Sequence, residues 1–136
     1  MANNLSQRRS IENSYAAQKA SNNFGRQRAT KQNMQQRGDA RKNFQRQTPR
    51  VTSNYASRGL GNSGVYKRAL QQFTGDYADQ VGQINQAGMD TQNQYDMQDR
   101  MYRASYDQAL AELENQKAMQ ITQTAAGINS LRPLIG

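Results

Sequence analysis

From Asn62 to Leu131 the chain runs roughly seventy residues without a proline, and its apolar side chains return at helical intervals. Phe73, Ile84, Tyr95 and Tyr106 recur every eleven residues, Leu70, Tyr77 and Ile84 every seven, and Tyr102 and Leu113 repeat the eleven-residue step. At 3.6 residues per turn both intervals come back to nearly the same face of a helix. The pattern therefore predicts one long amphipathic helix over 64–131, with these eight residues as a packing seam of coiled-coil type. Unbroken, it would be about 100 Å long at 1.5 Å per residue. The stripe is thin and aromatic, and Gln, Asn, Thr and Asp fill the other positions. A helix so clothed is stable only against neighbours.

Residues 1–47 read as helix by propensity, since Gln, Arg, Lys, Ala and Met dominate and no proline intervenes. Their apolar residues are few, and Phe24, Met34 and Phe44 sit ten apart, a spacing that drifts around a helix and gives no continuous stripe. The expectation is a basic, Gln/Arg-rich helical arm with little structure of its own in the free chain. Thr48-Pro49 punctuates the arm, because proline disfavours helical geometry in the residue before it. Thr48 and Pro49 also suit the cap and first position of a new helix, predicted to run to Ser57 and to end at Gly59 in the left-handed conformation. A Gly-rich corner follows (Gly59, Gly61, Ser63 and Gly64), with Asn62 or Ser63 capping the long helix. Within that helix Gly75, Gly82 and Gly88 each mark either the close approach of a packed neighbour or a bend. Asn129 and Pro133 are expected to stop it, leaving residues 132–136 as a small apolar tail. The predicted fold class is all-α: an extended long-helix rod or helical hairpin with a Gly-rich corner, ordered by oligomeric assembly.

Composition sharpens this. Of 136 residues only 35% are hydrophobic, with no Trp and three Phe, and Asn plus Gln make up about a quarter. That places the chain among interaction rods or disordered segments, away from compact domains. The formal charge of +8 is uneven: residues 1–58 carry +10 and residues 59–136 carry −2. There is no Cys and no His, which removes disulfide scaffolds, thiolate zinc sites, Cys nucleophiles and His-based triads. The first residues hold no apolar run of signal-peptide length, and no segment approaches a membrane span.

Three stretches invite chemistry. The carboxylates Asp76, Asp79, Asp90, Asp96 and Asp99 lie along the long helix, where a single helix cannot make them converge on a metal. Ion pairs four residues apart, with Arg100 and Arg103, account for Asp96 and Asp99. The corner places glycines before a helix N-terminus, a general anion-binding arrangement, but it lacks the Lys-Ser/Thr ending and the preceding strand of a phosphate loop. A hinge is the simpler reading. The basic residues Arg8, Arg9, Lys19, Arg26, Arg28, Lys31, Arg37, Arg41, Lys42, Arg46 and Arg50 can neutralise phosphates without reading sequence, with Tyr15, Phe24 and Phe44 interleaved to stack on bases. They equally suit an acidic protein surface. No catalytic, cofactor-binding or metal-ligating constellation emerges, so an enzyme is not expected.

The run from Arg58 to Leu70, R-G-L-G-N-S-G-V-Y-K-R-A-L, resembles an R-G-L-x-x-S-G-x-x-x-x-A-L corner of small helical virion proteins of tailed bacteriophages. In those proteins, as here, a long Gln/Asp/Tyr-rich helix follows, with a continuation like Tyr77-Ala78-Asp79. The resemblance covers residues 55–115. It implies a structural component of the virion, made in the bacterial cytoplasm and present in several copies at the head–tail connector or tail machinery. Its partners would be copies of itself and a portal, connector or tail ring. The alternative is a non-specific DNA-binding internal protein, packaged with the genome and ejected alongside it.

Overall fold

A computed structural model describes residues 2–135, with side chains described from 3 to 127. Two helices account for nearly all of it, α1 (Ala2–Ser57) and α2 (Gly64–Ile135), and no strand occurs among the described residues. The chain is all-α. It divides into two compact units: Phe24–Tyr95, and Met1–Asn23 with Asp96–Gly136.

The unit 24–95 is a helical hairpin turned at the corner. Gly59 takes φ +74°, a left-handed conformation that glycine adopts without the Cβ penalty of other residues. The Gly59 N–H donates to the Ala56 carbonyl at 3.0 Å and the Leu60 N–H to the Tyr55 carbonyl at 2.9 Å. This pair of bonds is the Schellman arrangement that closes a helix C-terminus. Ser63 then starts α2: its Oγ accepts from the Tyr66 N–H at 3.1 Å, satisfying one of the donors every helix start leaves over. Both ends of the corner thus match the expected chemistry.

Two expected boundaries do not appear. α1 continues through Thr48-Pro49, so there is no separate arm at 1–47 and no separate short helix at 49–57. The carbonyl deprived of its helical donor is that of Gln45, and what holds the helix is packing on both sides of the proline. Thr48 Oγ1 donates to the Phe44 carbonyl at 2.7 Å and Thr52 Oγ1 to the Thr48 carbonyl at 3.1 Å. Phe44 before Pro49 stacks on Phe73 and Tyr77 of α2, and Tyr55 after it meets Tyr66. Anchors on either side hold the axis against the proline's cost of about 3 kcal/mol. At the other end α2 reaches Ile135, past the expected stop at Asn129. The side chains of the expected stop Pro133 and of Leu131, Leu134 and Ile135 lie outside the described residues.

Within each unit the predicted stripe of α2 lies against α1. In the hairpin unit the pairs Tyr55–Tyr66, Phe44–Tyr77 and Asn33–Gly88 advance eleven residues down α1 for eleven up α2. In the other unit, Asn22–Asp99 and Tyr15–Tyr106 keep step in the same way, seven for seven. An antiparallel pair stays in register when both partners repeat on the same number of turns. On α1 that repeat is Ile11, Asn22, Asn33, Phe44 and Tyr55, none of them fully exposed. It escapes a search for apolar periodicity because two of its five members are asparagines.

Candidate interaction surfaces

The seam comes first. All eight predicted residues are half-buried or buried: Leu70, Phe73, Tyr77, Ile84, Tyr95, Tyr102, Tyr106 and Leu113. In the hairpin unit the Phe44 ring lies 4.2 Å from Tyr77 and 5.2 Å from Phe73, centroid to centroid, with the planes 17° and 16° apart. In the other unit Tyr15 stacks on Tyr106 at 4.5 Å, and Leu113 is buried. Offset aromatic stacking of this kind contributes about 0.5–1.5 kcal/mol per pair beyond its buried area.

Between the aromatic layers of the hairpin unit the seam turns polar. Asn33 Nδ2 donates to the Ile84 carbonyl at 2.8 Å. That carbonyl lies one helical turn before Gly88, and Gly88 is what leaves room for the amide to reach it. A Cβ on Gly88 would stand 2.6 Å from Asn33 Nδ2, inside any permitted contact. Gly25 plays a similar part opposite Tyr95, whose ring would meet an added Cβ at 2.9 Å. Of the three glycines singled out in α2, Gly88 therefore marks a close approach, whereas Gly75 and Gly82 face open space. Next along, Gln92 accepts from Arg26 Nη1 at 3.4 Å and donates to Thr30 Oγ1 at 3.0 Å. In the unit containing the termini, Asn22 is buried and its amide donates to Asp99. Asparagines at a helix–helix seam fix register at a cost in stability.

Asp99 is thus placed in the seam, and Arg103 pairs with Asp107 one turn on, at 3.4 Å. The Tyr15 hydroxyl and the charge of Asp107 both raise the Arg103 pKa, although a guanidinium is charged at ordinary pH without them. Among the described residues no group of three or more acids gathers as a metal site would require, and no helix is long and apolar enough to cross a membrane.

The basic residues separate by face. Arg26 enters the seam, and Arg8 pairs with Glu12 at 3.3 Å. Lys19 borders a recess beside Tyr15 and Asp99, and Arg37 borders a groove beside Asn33 and Gly88. Arg9, Arg28, Lys31, Arg41, Lys42, Arg46 and Arg50 are exposed. The charge is also divided by unit. Residues 24–95 hold eleven Lys or Arg against four Asp and no Glu, a net +7, and the remaining residues net +1.

What burial remains is slight. Among the described residues only Ala40, Leu113 and Asn22 are buried. Large apolar side chains stand in solvent in both units: Phe24, Met34, Val65 and Met89 in one, Leu5, Met97, Met101, Met119 and Ile121 in the other. Met97 and Met101 are one turn apart on the side of α2 turned away from Asp99 and the seam. Set against known protein families, curated proteins and solved structures, the chain matches none of them.

Proposed function

We propose that this chain is a structural, non-catalytic subunit of a tailed-bacteriophage particle, built in several copies into the head–tail connector or tail machinery. One observation carries the reading. The seam that holds each unit is made by the chain's own two helices, yet apolar side chains at about 60% exposure remain outside it. Unpaired apolar faces on a polar helix pair are surfaces for neighbours. The resemblance of residues 58–70 to the corner of tailed-phage virion proteins supplies the class of neighbour. Copies of the chain, or a portal, connector or tail ring, would cover Met97 and Met101. A recess of 380 Å³ lined by Leu5, Leu110 and Leu113, with Arg8, Glu114 and Lys117 at its rim, offers a socket for an apolar side chain of such a neighbour.

The test is quantitative mass spectrometry of purified particles from the phage that encodes the chain. Its peptides are expected at a fixed, multiple copy number per particle. Their presence in assembly intermediates and absence from mature particles would overturn the reading, and would point to an assembly scaffold.

A further inference from the structure

The hairpin unit carries one surface that neither the seam nor the proposed assembly contacts account for. On α1 the residues Arg28, Lys31, Lys42, Arg46 and Arg50 fall within one arc at about 100° per residue, on the side opposite Asn33, Ala40 and Phe44. All five are exposed, whereas those three opposing residues are buried or half-buried. Among the described residues no carboxylate pairs with any of the five. The arc extends about 33 Å from Arg28 to Arg50 at 1.5 Å per residue, close to one turn of a nucleic-acid duplex. At its head stands Phe24, 63% exposed, with the Arg28 guanidinium 5.8 Å from the ring centroid.

We infer that this outward face of α1 is a nucleic-acid contact surface that tracks the phosphate backbone without reading base sequence. Three features select nucleic acid over an acidic protein. The arc carries cations toward both ends, Arg28 and Lys31 at one and Lys42, Arg46 and Arg50 at the other, whereas the centre of a protein interface is depleted of charge and anchored by packed apolar groups. The exposed positions between and beside the cations include Gln32, Gln35, Asn43 and Ser53, neutral polar groups of the kind that donate to phosphate and sugar oxygens. The single exposed aromatic among the described residues lies at the end of the arc, placed to stack on a base. One residue opposes the function: Asp39, exposed within the arc between Lys31 and Lys42. The inference does not rest on the virion reading, since the surface follows from the placement of charge alone.

Fluorescence anisotropy of the full chain, with random-sequence duplex and single-stranded oligonucleotides at rising salt, tests it. Five phosphate contacts predict a slope of log affinity against log salt of about −4.5 on duplex and about −3.5 on single strands, so the stronger binder and its slope identify which form is held. The triple variant Arg28→Gln, Lys42→Gln, Arg46→Gln should flatten the slope by about 3. A control triple that removes equal charge elsewhere, Arg58→Gln, Lys67→Gln, Lys117→Gln, should change it by less than about 1. Asp39→Asn should tighten binding several-fold, which no loss of folding can mimic. Equal weakening by both triples would overturn the inference, as would no binding at low salt. A chain that fails here but is found in multiple copies in particles would leave the structural role intact, and the converse result would separate the two in the other direction.

Discussion

At the scale of single residues, what distinguishes this protein is the pairing of glycine with asparagine across a helix–helix seam. Gly88 lacks a side chain, Asn33 uses the space, and the Ile84 carbonyl gains a second donor. Neither residue has that role without the other, so their substitutions are expected to be coupled. Gly88→Ala should destabilise by about 1–3 kcal/mol, because a displaced and partly buried amide loses its partner. In an Asn33→Ala background the same change should be neutral or stabilising by up to about 1 kcal/mol, the ordinary gain of alanine over glycine in a helix. Denaturant melts of the four proteins in this cycle measure the coupling. Gly82→Ala, which meets no neighbouring atom, should stabilise in either background by about 0.5–1 kcal/mol. Equal effects at positions 82 and 88 would show that the close approach does not occur in solution.

The elements show how packing overrides a local signal. Pro49 reads as a helix break, and in isolation it would be one, but α1 passes through it because Phe44 and Tyr55 are held by rings of α2 on either side. Pro49→Ala should therefore restore a backbone donor and stabilise the hairpin unit by about 2 kcal/mol, the helix cost of proline less the advantage it gives by restricting the unfolded chain. If Thr48-Pro49 were a hinge in solution, the substitution would change helix content as well as stability, and far-ultraviolet circular dichroism would register the gain. Phe44→Ala should cost about 2–3 kcal/mol through lost burial and two lost stacking contacts, read as a shift in the denaturant midpoint. A cap at Asn62 or Ser63 was legible from the sequence; the structure assigns it to Ser63, where it is worth about 1 kcal/mol, the expected loss in Ser63→Ala. The eleven-residue stripe of α2 was legible too, since its members are mostly aromatic and aliphatic. Its counterpart on α1 was not, because Asn22 and Asn33 occupy positions where an apolar residue is the usual signal.

For the whole molecule the governing fact is how little is buried. Two buried apolar residues and one asparagine among the described positions are little burial for helices of this length, and the proposed assembly would add to it. Helix propensity, favourable as it is in α1, adds little by itself, and most helical stability in proteins comes from tertiary packing. The purified chain should accordingly show helicity that rises with protein concentration, followed by circular dichroism over a dilution series with sedimentation to report mass. Substituting Met97→Ser with Met101→Ser should lower the concentration response without altering the seam. A compact monomer with full helicity at high dilution would remove the argument for assembly. Association and salt-sensitive nucleic-acid binding are separable here, because the methionines lie on α2 and the cationic arc on α1.

The sequence by itself determined the all-helical class, the corner with its left-handed glycine and a polar cap at Asn62 or Ser63, and the stripe by which α2 packs. Each of these follows from local backbone chemistry or from periodicity within one helix. Only the tertiary structure decided what that stripe meets, that α1 runs through its proline, and which of its many cations face outward. Those outcomes depend on the register between two distant segments, and a register is set by pairs of side chains, such as Asn33 with Gly88, that neither segment reveals alone.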